Sequence, residues 1–313
     1  MKRGAPPPIF LMGPTAAGKT RLALELAGRF ACTIVSVDSV MVYRGLDIGS
    51  GKPDAAQLAC APHRLIDIRD PTEPYSVAEF RRDALREIAA IQAHGRIPLL
   101  VGGTGLYFRA LQQGLTALPG ADPVLRARLE SEARSAGWAA LHARLARVDP
   151  QAARRIHPHD PQRIQRALEV WELTGRRLSA LWVEQAGAAP LAACKIILEP
   201  HDRRGLHRRI ANRFDRMLSQ GLVAEVAALR GRSGIHAGLP AMRAVGYRQV
   251  WEYLAGEGDL NSMASRAVTA TRRLARRQLT WLRREQGAIR FDSEAPDVGA
   301  RVVDALAAGI ESG

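Results

Sequence analysis

The run Gly13-Pro14-Thr15-Ala16-Ala17-Gly18-Lys19-Thr20 constrains this chain more than any other stretch. It follows the short apolar run Ile9 to Met12, which reads as a buried strand, and it opens a segment in which Leu22, Leu24, Leu26 and Ala27 fit a helix. Strand, Gly-rich turn and helix N-terminus in that order are the context that a phosphate-binding P-loop requires. Gly13 and Gly18 let the backbone curl so that several N–H groups point inward, Lys19 adds a point charge, and the helix presents its positive dipole end. Thr20 is suited to holding a phosphate-bound Mg2+. The alternative is a Gly-rich turn without a ligand, which would not need every position of the motif filled in order.

Two further turns belong beside this loop in a parallel α/β sheet, where ligands bind at the carboxyl ends of the strands. Thr33 to Val37 is β-rich and ends in Asp38-Ser39. Asp38 is a candidate Mg2+ ligand, a general base, or the N-cap of the next segment. Ile97 to Val101 reads as a short buried strand running into Gly102-Gly103-Thr104-Gly105. An ordinary P-loop NTPase carries an acid at the end of such a strand to hold Mg2+, whereas this chain carries glycines and a hydroxyl. Thr104 suits contact with a phosphate or leaving-group oxygen, the alternative being a plain tight turn. Between these strands, residues 43 to 67 are punctuated by Gly and Pro and read as loops over a site. Ser76-Val77-Ala78-Glu79 is a capping box that opens a helix to Ala93, with Gly95 as its stop.

Past Pro119-Gly120 the chain changes character. Nearly every residue to about Leu191 is a helix former, with arginines throughout and no β-rich run until Lys195 to Leu198. This predicts three segments: the first part of an α/β core over residues 1–119, an all-helical insertion over 120–192, and the rest of the core over 193–313. Within the insertion, Ile164, Leu168 and Trp171 share one helical stripe and leave Gln162, Arg163 and Arg166 free to meet a partner. His157 and His159 flank Pro158 in an arginine-rich loop and read as solvated rather than metal-binding. After the insertion come a helix with Leu206, Ile210, Phe214 and Met217 inward and a final helix from about Ser265 to Arg284 that is dense in arginine.

The formal charge is +14, and all but four of the 45 basic residues are arginine. A GC-rich genome would inflate arginine and alanine together; a nucleic-acid partner would select the same excess for phosphate contacts, and charge alone does not separate the two. The N-terminus is too briefly apolar for a signal peptide and no run reaches membrane-spanning length, so a cytoplasmic protein without a membrane partner is expected. Cys32, Cys60 and Cys194 lack zinc or redox spacing and are expected as buried small hydrophobes.

Taken together, GPTAAGKT at 13–20, DSVMVYRGLDIGSGKP at 38–53, PHRLIDIRDPTEPYS at 62–76, GGTGLY at 102–107, DPQRIQRALEV at 160–170 and RAVGYRQ at 243–249 closely resemble the tRNA dimethylallyltransferase family, from residue 9 to about 285. The resemblance implies a P-loop kinase-like sheet with an inserted helical domain. It implies transfer of a dimethylallyl group from dimethylallyl diphosphate to N6 of the adenine next to the anticodon, in tRNAs reading codons that begin with U, with Mg2+ as cofactor. By position it makes Asp38 the general base, puts Thr104 at the scissile bond, and has Arg213 help hold the diphosphate with the 13–20 loop. Asp38, Ser39, Val40 and Met41, then Gln162, Arg163, Ile164, Gln165 and Arg166, then Arg243, Ala244, Val245, Gly246, Tyr247 and Arg248 match tRNA-contact segments, and Thr104 and Arg126 match single contacts. The implied partner is a tRNA anticodon stem-loop met by a monomer. The chain departs from the family at Met41, where many members carry Gln, and at Ser50-Gly51, which replaces the more usual Thr-Ala. Three other readings stay open on the residues alone: a small-molecule P-loop kinase, a prenyltransferase acting on free adenosine phosphates, and an RNA-binding module switched by nucleotide.

Overall fold

The computed structural model describes residues 6–115, 118–184 and 191–311. Residues up to Ala110 and from Ala192 form one compact unit, and Leu111–Leu191 form another. The first unit is built on six parallel strands, β1 (Ile9–Met12), β2 (Cys32–Val37), β3 (His63–Arg64), β4 (Ile97–Gly102), β5 (Cys194–Glu199) and β6 (Ala288–Asp292), in the order β3-β2-β4-β1-β5-β6. Every residue of β1 and β2 is buried, as a strand covered on both faces must be. Helix α1 (Lys19–Arg29) covers the sheet through Leu22, Ala23 and Leu26, and α3 (Val77–Ala93) does so through Phe80, Ala84, Ile88 and Ile91. The Ser76 capping box is present, with Glu79 N–H on Ser76 Oγ at 3.2 Å and the Glu79 carboxylate on Ser76 N–H at 2.8 Å.

Three strand ends meet at one place because β1 lies between β4 and β5, and β2 lies beyond β4. The close approach is enforced at Gly102, where a Cβ would stand 2.1 Å from the Val37 carbonyl oxygen. A side chain there would push apart the turns that follow β2 and β4.

Several elements differ from the sequence expectation. The Gly- and Pro-punctuated stretch 43–67 contains a short helix, α2 (Ala55–Cys60), and the two-residue strand β3. Asp54 caps α2 with a full capping box to Gln57, a signal present in the sequence but overshadowed by the surrounding turn residues. The arginine-dense helix, α12 (Leu260–Leu282), is not the last element: β6 and α13 (Val298–Glu311) follow it and pair with β5 and α1. Of the cysteines only Cys32 is fully buried, and burial pushes its thiol up to about 11; Cys60 is exposed. Among the described residues no helix is long and apolar enough to cross a membrane.

The second unit is helical: the end of α4 (Gly105–Gln113), then α5 (Pro123–Val148), α6 (Pro150–Arg155), α7 (Pro161–Thr174) and α8 (Leu178–Glu184). Three of these helices begin with the same Asp-Pro pair. Asp122, Asp149 and Asp160 each cap a backbone N–H three residues on, and the proline sits where a missing N–H costs nothing. Gly137, at φ 82°, breaks α5 into two helical stretches.

Glu169, fully buried on α7, is the polar centre of this unit. Arg126 meets it with two hydrogen bonds at 2.8 and 3.0 Å, Arg166 adds one at 2.6 Å and the Asp122 N–H another at 2.9 Å. Burial alone would raise the Glu169 carboxyl, but the bonds from Arg126 and Arg166 outweigh it and hold the group below the usual glutamate range. Glu169→Gln is therefore expected to destabilise the helical unit by about 1.5–3 kcal/mol at neutral pH, because charge-assisted bonds are lost while two guanidinium groups stay behind. The difference should vanish as the pH falls and the wild-type carboxylate is itself protonated. Urea unfolding at neutral and acidic pH reads both effects, and equal stability of the two proteins at neutral pH would contradict the assignment.

Candidate active site

The loop between β1 and α1 turns at Gly13, where a Cβ would lie 2.8 Å from the Leu198 carbonyl oxygen of β5. It enters the helix through Gly18 at φ 82°, with no side chain capping the first turn, so the N-terminal N–H groups of α1 remain free for a ligand. Ala16 stands at φ 62°, a strained setting for a residue with a Cβ. Two helices hold that strained crown. The Gln278 side chain of α12 accepts the Thr15 N–H at 2.9 Å and donates to the Gly103 carbonyl at 3.0 Å, which ties the 13–20 loop to the turn after β4. Arg209, on α9 (Arg203–Ser219), donates to the Ala16 carbonyl at 3.1 Å.

Lys19 turns its ammonium back onto the loop, donating to the carbonyls of Gly13 at 2.9 Å and Pro14 at 2.7 Å. Burial, then the neighbouring Arg213, lower its pKa to about 8, and Asp38 opposes the shift. Arg213 of α9 is likewise pushed below the usual guanidinium range by burial, again opposed by Asp38. Two desolvated cations thus share one place with a single carboxylate, an arrangement that a polyanion would relieve.

Asp38 stands at the carboxyl end of β2. Its Oδ1 accepts the N–H groups of Val40 at 2.8 Å and Met41 at 3.3 Å, closing the turn after the strand. Its Oδ2 takes no hydrogen bond from the described residues. Met41 points its sulfur inward, 3.7 Å from the Ser36 hydroxyl. Thr104 begins α4 and accepts the N–H groups of Tyr107 and Phe108 on its backbone oxygen at 3.0 and 3.3 Å, while its hydroxyl has no partner among the described residues.

These groups surround a cavity of about 180 Å3, lined by Thr15, Lys19, Thr20, Asp38, Val40, Met41, Gly102, Gly103, Arg213, Val245, Gly246 and Gln278 together with an apolar wall that includes Ile34, Val101, Ile210, Phe214 and Leu274. Thr104 is not in the wall itself but follows Gly103, which is. Gly13, Pro14, Ala16, Ala17 and Gly18 stand behind the lining as the loop's frame. One end of the cavity is therefore cationic and the rest largely apolar. Among the described residues no three His, Cys, Asp or Glu side chains converge, so a divalent cation here would depend on the Thr20 hydroxyl, substrate oxygens and water, which is how Mg2+ is commonly bound.

The remaining expected contact residues divide by exposure. Ser39, Gln162, Arg163, Arg243 and Arg248 are exposed and Ala244 is half-buried. Ile164 and Tyr247 are fully buried and present no surface. Arg126 and Arg166 are engaged with Glu169, and Gln165 donates to the Arg126 carbonyl and to Glu130 at 3.2 Å each. Reading along the sequence did not single out Gln278, Arg209, or Glu225 of α10 (Leu222–Arg230), all of which brace the site.

A family model described as IPP transferase matches residues 41–285 of this chain. The chain belongs to the IPP transferase family. The family match begins after the 13–20 loop and Asp38. The tRNA dimethylallyltransferase of Alkalilimnicola ehrlichii is 62% identical over 284 residues, covering 91% of this chain and 90% of that protein. That of Thioalkalivibrio sulfidiphilus is 58% identical over 299 residues, covering 95% and 93%. The crystal structure of the full-length tRNA isopentenylpyrophosphate transferase from Bacillus halodurans is similar with a TM-score of 0.72 at 36% identity, over 98% of this chain and 97% of the other. The chain is thus an enzyme of this family along nearly its whole length, with an α/β P-loop-type sheet and a helical unit.

Proposed function

We propose that this IPP transferase moves a dimethylallyl group from dimethylallyl diphosphate to N6 of the adenine next to the anticodon, in tRNAs that read codons beginning with U, and releases diphosphate. The observation that carries the reading is the cavity itself: Lys19 and Arg213, both desolvated, with Asp38 near enough to act on both charges and its Oδ2 free, in a cavity that also has an apolar wall. A cationic end with an apolar wall suits an allylic diphosphate.

The exocyclic amine of adenine is a weak nucleophile because its lone pair is delocalised into the ring. A C–N bond forms between N6 and the allylic C1 as the C1–O bond breaks; the electron pair leaves with the diphosphate and the N6 proton passes to Asp38 Oδ2. Such a positioned base is worth about 10² to 10⁴ in rate. Lys19, Arg213, the free N–H groups at the start of α1 and the Thr104 hydroxyl stabilise the charge that grows on the leaving oxygens. Mg2+, held through Thr20, would add further charge stabilisation to the diphosphate when bound. An adenine stacked in an anticodon loop must be extruded to enter a cavity of this size. The strand β4 ends at Gly102 and runs into Gly103-Thr104 without an acid, which weighs against a phosphoryl-transfer kinase.

Anticodon stem-loops that differ only in the last anticodon base test the specificity. Transfer is expected where that base is adenine and lost where it is guanine; equal transfer to both would overturn the codon assignment. The RNA surface has its own test at Arg163, whose side chain is 71% exposed and only loosely paired with Asp160 at 3.4 Å. Arg163→Ala is expected to leave folding intact and to flatten the slope of log affinity against log salt by about 0.7 to 0.9 for the stem-loop. An unchanged slope would make this arginine ordinary solvated surface. Arg126 and Arg166 are poor choices for the same test, since removing either strips partners from the buried Glu169.

A further inference from the structure

The segment from Leu46 to Lys52 forms part of the cavity wall through Gly49, Ser50 and Gly51, yet it has no regular structure to hold it. Much of its backbone is held by Glu225. Glu225 accepts the N–H groups of Asp47 at 3.1 Å and Ile48 at 2.7 Å on Oε2, and that of Gly49 at 3.2 Å on Oε1. The same Oε1 accepts the Tyr247 hydroxyl proton at 2.6 Å, and the Tyr247 oxygen accepts the next N–H in line, from Ser50, at 3.2 Å. Four consecutive N–H groups are thus bound by one acid and one phenol. Gly49 lies flat on the Tyr247 ring, where a Cβ would come within 2.6 Å of it.

The far side of the Ser50 peptide region faces Arg213. The Ser50 carbonyl accepts Arg213 Nη2 at 3.2 Å, the only hydrogen bond that the described residues give this guanidinium. Gly51, at φ 65°, clears the space: a Cβ there would lie 2.1 Å from Arg213 Nη2. The departure from Thr-Ala to Ser50-Gly51 therefore falls where the arginine is seated.

We propose that Tyr247 and Glu225 are positioning residues for the donor diphosphate: by fixing the Ser50 carbonyl they aim Arg213 into the cavity, and the Tyr247 hydroxyl serves this purpose rather than touching RNA. The inference rests on Arg213 holding the diphosphate. It draws on burial as well as on the bonds. Tyr247 is fully buried, and burial followed by the Glu225 charge pushes its phenol well above the usual tyrosine range, so it stays a neutral donor at working pH.

The test is a double-mutant cycle on the full chain, read in the affinity for dimethylallyl diphosphate and, separately, in the affinity for an anticodon stem-loop. Tyr247→Phe keeps the ring under Gly49 and removes only the hydroxyl. It is expected to weaken donor binding about 5- to 20-fold while stem-loop affinity stays within about twofold. In an Arg213→Ala background the same change should have no further effect on the donor, because its route of action is gone. Glu225→Gln leaves one acceptor oxygen for four donors and turns an NH2 toward two of them, so it should weaken donor binding at least as much as Tyr247→Phe, and it serves the same cycle if the phenylalanine variant folds poorly. Additive losses in the cycle, or weaker stem-loop binding with donor affinity unchanged, would overturn the proposal and leave the function standing. If Arg213→Ala alone leaves donor affinity untouched, the assignment of Arg213 falls, and this inference with it.

Discussion

Asp38→Asn is expected to slow single-turnover prenyl transfer by about 10² to 10⁴ while donor affinity changes little. The choice of asparagine comes from how the carboxylate is used. Oδ1 is committed to the N–H groups of Val40 and Met41, and an amide oxygen can accept both, so the turn after β2 keeps its shape. What the variant loses is the second oxygen, which has no hydrogen bond from the described residues and is the group free to take the N6 proton. Alanine would release the turn as well and mix the two effects. Rapid-quench transfer with enzyme in excess separates chemistry from product release. A rate within a few-fold of wild type would remove Asp38 from the role of base.

Lys19→Ala should behave differently, lowering both donor affinity and rate for a loss of about 10² to 10³ in kcat/KM. The diphosphate already carries its charge in the ground state, so the ammonium acts on binding as well as on the leaving group. Among the described residues Lys19 bonds to the Gly13 and Pro14 carbonyls, and its pKa is lowered to about 8 by burial and Arg213. Donor affinity should therefore be flat below that pH and decline as the pH rises through about 8, since the neutral amine predominates above it and must regain a proton to meet the anion. Titration of donor binding between pH 7 and 9.5 (roughly the range that brackets this value) reads the decline, which Lys19→Ala should abolish. Unchanged donor affinity in the alanine variant would mean that the loop does not hold diphosphate.

The features legible in the sequence share a property: each is set by neighbours close along the chain. The loop at 13–20 and the Ser76 capping box are local, and the structure carries each where its residues stand. Asp38 was legible because its place depends only on β2 ending where its β-rich run ends. Helix α2 and strand β3 were hidden because Gly and Pro around them signal turns, while β3 owes its existence to pairing with β2 rather than to its own two residues. β6 buries only Phe291 fully and is a strand because β5 offers it an edge.

The braces of the site were illegible for a stronger reason. Gln278 lies 263 positions from Thr15, and Glu225 lies 177 from Ile48, so nothing along the chain marks either as a partner of the loop it holds. The same blindness works in the other direction for arginines. Arg126 and Arg166 read as RNA contacts in a basic helical stretch, and the structure shows in addition that both brace Glu169, which the sequence shows only as one more charged residue on a helix. Exposure separates them from Arg163, which has the same local surroundings and remains open to solvent.

On the proposed function, the cavity moves an allyl group from a diphosphate to an adenine in RNA. The measurement closest to it supplies dimethylallyl diphosphate labelled in the allyl group, with Mg2+, to the protein in the presence of an unmodified anticodon stem-loop, of adenosine monophosphate, or of ATP with a small hydroxyl acceptor, and follows both the label and the released diphosphate. Label is expected on N6 of the adenine next to the anticodon, with one diphosphate released for each allyl group transferred and no reaction with the other acceptors. Label on free adenosine monophosphate with none on the stem-loop, or phosphoryl transfer from ATP in place of prenyl transfer, would contradict it.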